Sequence, residues 1–276
     1  MKLKFHSEAL ALIDHPVRIS DLAARVLDRW EERTGSRIRY PPSVREWYTL
    51  SDAVEILGHY SNDDRAVPVH ELKASSRGWD PTRPSDPKQM PVFEFLVENQ
   101  AVCVWGIQLN GTDDPPVLVV ENESGASWLH CSDRFSTFVY TRIWDFQPWV
   151  EKWLMLEAQD EPLSPADLAS LKNRFHERPS TYAMMSHPNV TSYRFDSSHG
   201  RIVIHTGTDS PSESRLYEQA DWFLHAKSPN SLEALAREVW HCADLATTLY
   251  GFNEDEGAVL DRLRTGGHGW SETGRT

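Results

Sequence analysis

The chain has 276 residues, of which 39% are hydrophobic and 25% charged, with a formal net charge of −13. This composition belongs to a folded globular protein, and the length suits one large domain or two ordinary ones. The acidity argues against generic nucleic-acid binding, and no apolar run approaches the roughly 20 residues of a bilayer span.

The first residues, "MKLKFHSEALALIDHP", lack the long apolar stretch and small-residue cleavage site of a signal peptide, so a cytoplasmic protein is expected. Cys103, Cys131 and Cys242 are an odd number without a CxxC pair, which argues against a disulfide framework. Cys103 lies in the apolar run "AVCVWGI" and reads as a buried reduced thiol.

In chain order, "SDLAARVLDRWEERTG" predicts a helix with Ser20 as N-cap, Leu22, Val26, Leu27 and Trp30 as its apolar stripe, and Gly35 as its end. "PPSVREWYTLSDAVEIL" predicts a helix opened by Pro42 and Ser43, then a second short one capped at Ser51-Asp52. "RAVPVHEL" reads as a short strand and "DPTRPSDPKQMP" as a loop. "VFEFLVEN", "AVCVWGIQL" and "PPVLVVEN" then predict an antiparallel meander. "SDRFSTFVYTRIWDFQPWVEKWLMLEA" returns to helical spacing, with Pro148 expected to interrupt or restart the helix.

Polar residues and two prolines in "QDEPLSPAD" mark a boundary. Beyond it the pattern predicts a helix from Ser164, about four strands ("TYAMMS", "VTSYRF", "GRIVIHT", "SRLYEQADWFLHAKS"), and a helix over "SPNSLEALAREVWHCADLATTLYG". There Leu232, Leu235, Val239, Leu245 and Leu249 share a face. The expected class is α+β: a domain over residues 1–158, an α+β unit over 163–252, and a loose polar tail over 253–276.

A search for chemistry yields little. The twelve His form neither an HExxH nor a zinc-spaced cluster; His199 and His205 flank a predicted strand as surface histidines do, and His225 is a core or edge residue. No nucleophile elbow or phosphate loop is present, and His130-Cys131 on one strand would point to opposite faces.

Charge is unevenly spread. Residues 1–89 hold 14 basic and 14 acidic side chains, residues 90–160 hold 3 and 11, and residues 161–276 hold 11 and 16. Within the acidic middle, "LNGTDDPPVLVVENESG" carries Asp113, Asp114, Glu121 and Glu123. Paired carboxylates can bind Mg²⁺ or Ca²⁺ or work as acid and base. A hydrolase built on Asp113 and Asp114 is the least favoured reading, because the spacing is not that of a calcium loop and Asn-Gly with Asp-Pro-Pro forms turns without a ligand. Strand geometry also separates the two acidic pairs by roughly 20 Å. An acidic surface for a protein partner, with no metal, cofactor or catalytic group, is the favoured expectation.

Several motifs together resemble the SUKH superfamily. "YPPSVREWYTLSDA" (Tyr40 to Ala53) is similar to that family's "LP…REFY…NG" helix, and "VFEFLVENQAVCVWGIQL" to its "…ENQG…WAI…" strand pair. "DDPPVLV" is similar to its "DPPVY" strand start and "SDRFSTFVYTRIWD" to its closing "…FSEFL…" helix. The resemblance covers about residues 20–150; Ala101 stands where the family has Gly, and Leu118 where it has an aromatic residue.

The resemblance implies an antiparallel sheet with packed helices and no catalysis. Bacterial members are mostly immunity proteins that neutralise toxins by occlusion, and fungal members regulate cell-wall synthesis. The expected partner is a protein, a basic toxin domain such as a nuclease being one that this acidity would suit, with neither nucleic acid nor membrane bound directly. The alternative is an intracellular regulatory scaffold for an endogenous partner. Asp113, Asp114, Glu121 and Glu123 are the expected partner-binding residues.

Overall fold

The computed structural model describes residues 3–33, 39–72, 75, 91–183, 187, 189–207, 219–243, 245 and 248–265. Gly35, the loop over residues 80–90, most of the turn after His205 and residues 266–276 lie outside them. The fold is α+β, with two five-stranded antiparallel sheets and helices packed on them. The chain divides into two units, Met1–Val150 with Thr181–Pro188, and Glu151–Ser180 with Asn189–Thr276.

The first unit opens with α1 (Ser7–Leu12), α2 (Asp21–Arg33), α3 (Pro42–Tyr48) and α4 (Ala53–His59). The Ser20 hydroxyl accepts the Ala23 N–H at 3.2 Å, and Pro42 opens α3 at the position where a missing N–H costs nothing. Asp52 precedes α4 without capping it; its carboxylate goes to His15 and Ser51 instead.

The first sheet is the meander β1 (Arg65–Ala66), β2 (Val92–Val97), β3 (Cys103–Gln108), β4 (Val117–Glu121) and β5 (Leu129–Ser132), paired in chain order. Helix α5 (Phe135–Val150) packs on α1, α3 and α4. Phe95 of β2 meets Phe135 and Phe138 of α5 edge-on at 5.2 and 5.3 Å, the geometry that aromatic quadrupoles favour. Pro148 does not interrupt α5. It lies in the last turn, where a lost N–H disturbs little of the remaining ladder.

The β2–β3 turn explains the "ENQ" motif. The Glu98 carboxylate accepts the N–H groups of Gln100 and Val102 at 2.8 and 3.1 Å, and the Asn99 N–H donates to Asp64 at 3.2 Å. Ala101 is held at φ 58°, the left-handed region. That costs an L-residue with a Cβ about 1–2 kcal/mol, against about 0.5–1 kcal/mol for the extra chain entropy of a glycine. Ala101→Gly is therefore expected to stabilise the protein by about 0.5–1 kcal/mol in urea unfolding, with the slope of the transition unchanged.

The second unit contains β6 (Leu154–Ala158), α6 (Pro165–Arg174), β7 (His176–Tyr182, whose last two residues count with the first unit), β8 (Thr191–Asp196), β9 (Arg201–Thr206), β10 (Ala220–Ala226), α7 (Pro229–Trp240) and α8 (Glu254–Thr265). Its sheet runs β6-β10-β9-β8-β7. Ser164 and Asp167 form a full capping box on α6. Leu156, Ile202, Ile204, Trp222 and Leu224 face Leu232, Leu235 and Val239 of α7 in one core.

Four expectations are corrected here. Residues 154–158, read as the end of a helix, form β6, so the first unit ends at Val150 rather than 158; Lys152 at φ 55° turns the chain out of α5. Strand β5 escaped notice because it is only four residues long with an exposed His130. Helix α7 stops at Trp240, and Leu245 and Leu249 reach the core from the segment beyond it. Residues 254–265 are helix α8 rather than a loose tail, burying Val259, Leu260 and Leu263.

Candidate functional site

The β3–β4 loop places the acidic stretch. The Asn110 side-chain oxygen accepts the N–H and hydroxyl of Thr112 at 3.1 and 2.6 Å, and Gly111 takes φ 83°, which its missing Cβ allows. The loop then docks on α3, where the Ser43 N–H donates to the Asp113 carbonyl at 2.9 Å.

The four carboxylates do not form one surface. Asp114 accepts the Ser136 N–H at 3.0 Å and the Ser136 hydroxyl, so it holds the first turn of α5 and is not an open partner-binding group. Asp113 points outward, with its side chain 64% exposed, and meets Lys4 Nζ at 3.1 Å. A surface pair of this kind is worth about 0–1 kcal/mol and opens readily. Glu121 ends β4 opposite Cys103, and Glu123 is exposed in the following turn. The five residues of β4, about 16 Å of strand, separate this pair from the loop.

Lys4 is held in reach of Asp113 by Glu46, whose carboxylate accepts the N–H groups of Lys4, Phe5 and His6 at 2.6, 2.8 and 2.9 Å. His6 lies beneath, fully buried between Trp47 (5.0 Å) and Phe135 (5.6 Å), and its Nε2–H donates to the Ser43 carbonyl at 2.9 Å. Burial holds the His6 pKa below 6.5, against the raising influence of that bond and of the Glu46 and Asp114 charges.

The sign follows from where the proton binds. Below pH 6.5 the unfolded chain takes up a proton that the folded chain refuses. The stability His6 confers is thus complete above that value and lost as pH falls toward the folded pKa. Wild type should lose up to about 1.4 kcal/mol more per pH unit than His6→Phe between pH 6.5 and 5.5, read by urea unfolding.

Gly111, Thr112 and Asp113 line a cleft of about 670 Å³ together with Glu31, Arg39, Tyr40, Pro41 and Pro42, and with Pro91 and Leu109. Tyr40 and Pro41 are buried, and Pro42 and Arg39 are exposed. Arg45, also lining it, is paired with Asp28 and Glu31, and the Glu31 carboxylate accepts the Tyr40 N–H at 3.0 Å. The exposed Arg39 has no ion-pair partner among the described residues. Proline and aromatic walls with a few polar groups can grip an extended segment of another chain.

Two other constellations were tested. Among the described residues no group of His, Cys, Asp and Glu is arranged to hold a metal ion. In the second sheet, register aligns Ser192, His205 and Asp221 across three strands, and the Ser192 hydroxyl lies 2.9 Å from His205 Nδ1. Burial, with the Asp160 and Glu157 charges adding, raises the Asp221 pKa against the hydrogen bond from the Asp160 N–H. Acyl transfer requires the hydroxyl to reach a substrate, and Ser192 is only 2% exposed. The row is a cross-strand polar ladder.

His225 turns away from the core face that holds Trp222 and Leu224 and is itself buried. Cys103, Cys131 and Cys242 are buried and free, and burial pushes the Cys103 thiol up to about 12. Among the described residues no helix is long and apolar enough to cross a membrane. Comparison of the chain with protein-family models, curated proteins and solved structures finds no match.

The cleft was not foreseen from the sequence. "RYPPS" signals a helix start, and nothing in its spacing shows that Pro41, extended before α3, and Pro42, the first residue of α3, line a cleft with the β3–β4 loop. The Ser192 row was invisible for another reason: it depends on the register of three strands.

Proposed function

We propose that the chain is a non-catalytic protein-binding module of the toxin-immunity type, which neutralises a cognate toxin by covering its working surface. One observation carries the reading. Tyr40–Ala53 and Asp113–Val119, two of the stretches on which the SUKH resemblance rests, are joined by the Ser43 to Asp113 hydrogen bond, and Tyr40, Pro41, Pro42 and Arg45 of the first line one open cleft with Asp113 of the second. An open cleft lined by Pro42 and Pro91 and edged by the exposed Asp113 suits a protein surface better than a small polar substrate.

The test is co-expression with the product of the neighbouring gene. Rescued growth and a co-purifying complex are expected; unimpaired toxicity with no complex would sink the proposal. Neutralising Asp113, Glu121 and Glu123 together (Asp113→Asn, Glu121→Gln, Glu123→Gln) should slow association severalfold at low salt and far less at high salt, leaving dissociation nearly unchanged. An unchanged on-rate in stopped-flow would remove the steering role of these acids.

A second reading is an intracellular regulatory scaffold for an endogenous partner. It is favoured by the two units, each with its own five-stranded sheet, since tandem modules can bridge partners. A pull-down from the native host that recovers only a toxin would exclude it.

A further inference from the structure

Asn110 is the one asparagine of the chain that a glycine follows, and it lies in the β3–β4 loop with Gly111 and Thr112 exposed after it. An Asn side chain can be attacked at Cγ by the backbone nitrogen of the next residue, and a glycine there has no side chain to block the approach. Space around Gly111 is open: a Cβ built on it would meet nothing within 4 Å. No hydrogen bond among the described residues engages its N–H. Both donors of Thr112 converge on Asn110 Oδ1, the N–H at 3.1 Å and the hydroxyl at 2.6 Å. Negative charge gathers on that oxygen when Cγ is attacked, so the two donors form a small oxyanion hole. Asn99 and Asn122 instead spend their side-chain NH2 groups on the Asn62 and Ala101 carbonyls, and Asn173 and Asn230 lie within α6 and α7.

From this arrangement we propose that Asn110–Gly111 is a self-modification site, which loses ammonia through a cyclic imide with Thr112 as the activating donor pair. A solvent hydroxide takes the Gly111 amide proton as the nitrogen bonds to Cγ, and the carbonyl electrons shift onto Oδ1. The carbonyl re-forms as the Cγ–Nδ2 bond breaks, and Nδ2 leaves as ammonia with a proton from water. Water then opens the ring at either carbonyl, giving an aspartate at position 110 or its isoaspartyl isomer. The net exchange is one amide and one water for one carboxylate and one ammonium ion, with no change of oxidation state. Either product adds a negative charge to the loop that carries Asp113 at the cleft. The isoaspartyl form also inserts an extra backbone carbon into this loop, which docks on α3 through the Asp113 carbonyl. No partner takes part, so this chemistry is independent of the protein-binding reading.

The test incubates the intact chain at about pH 8.5, where hydroxide is more abundant than at neutrality, and follows it by peptide mass spectrometry and isoaspartyl-specific methylation. Residue 110 is expected to gain the mass difference between an amide and an acid before any other asparagine does, and faster as pH rises. Thr112→Val, which removes the closer donor, should slow the conversion at least about threefold, whereas Thr112→Ser, which keeps a hydroxyl, should leave it nearly unchanged. Thr112 is exposed, and an unshifted urea midpoint verifies that both variants keep the fold. Earlier conversion of another asparagine, no conversion at position 110, or a Thr112→Val rate equal to or above wild type would overturn the proposal.

Discussion

Arg142→Ala is expected to cost about 3–5 kcal/mol of unfolding free energy in urea titration, the largest effect of any single replacement considered for the first unit. Arg142 of α5 pairs with Asp64, whose side chain is only 1% exposed. Its guanidinium also lies over Trp105 at 4.7 Å and Phe146 at 5.0 Å. Removing the guanidinium leaves a carboxylate in the interior with the Asn99 N–H as its remaining hydrogen-bond donor among the described residues. Burial raises the Asp64 pKa, while Arg142 and the Asn99 bond lower it. Without Arg142, Asp64 escapes the penalty by taking a proton, so the deficit should shrink as pH falls toward 4. Replacing both partners with apolar residues, Arg142→Met with Asp64→Leu, should recover most of the loss. A deficit below about 1 kcal/mol, or one that does not change with pH, would show that the pair does not organise this packing.

The second large effect is expected at Glu256 in α8. Its buried carboxylate accepts the Met155 N–H at 2.8 Å on one oxygen, and the N–H groups of Phe252 and Asn253 at 2.6 and 3.2 Å on the other. Met155 belongs to β6, so one side chain both caps its own helix and ties it to the edge of the second sheet. Glu256→Ala leaves three donors to find water and should cost about 2–4 kcal/mol, less than the sum of three charge-assisted bonds because the loop relaxes. Glu256→Gln keeps one acceptor oxygen and should cost about half as much. Hydrogen exchange should localise the change: amides of residues 254–265 lose protection well before those of β9 and β10.

Glu256 also shows where sequence patterns lose their reach. "EDEG" followed by "RTGGHGW" is polar and glycine-rich, and composition alone describes a loose end. What orders residues 254–265 is tertiary: three apolar side chains meeting α7 and β6, and a carboxylate one of whose N–H donors lies about a hundred residues earlier. The same cause hid β6, whose apolar run fits a helix as well as a strand until Lys152 turns the chain. Where local chemistry decides, the reading held. The Ser20 cap, the helix starts at Pro42 and Ser164, and the meander of β2, β3 and β4 all lie where turn and cap residues put them.

The acidic stretch divides along the same line. Its strand and turn were legible, but not which carboxylates stay open. Asp114 serves α5 because Ser136, more than twenty residues away, returns to it. Asp113 remains at the cleft because α3 docks on its carbonyl. Neither partner could be found by spacing, nor could the cleft that Pro41 and Pro42 line together with the β3–β4 loop.

The central claim is that the partner is held at this cleft, and blocking the cleft tests it most directly. The three native cysteines are buried, so Thr112→Cys on the cleft wall and Glu123→Cys beyond the far end of β4 can each carry a single bulky maleimide fluorophore. The affinity of each labelled protein for the partner captured in the co-expression test is then measured by titration. The label at Thr112→Cys is predicted to weaken the complex by more than about tenfold, roughly 1.4 kcal/mol or more, and the label at Glu123→Cys to change the dissociation constant little. Equal affinity for the two labelled proteins, or loss only with the label at position 123, would contradict the account.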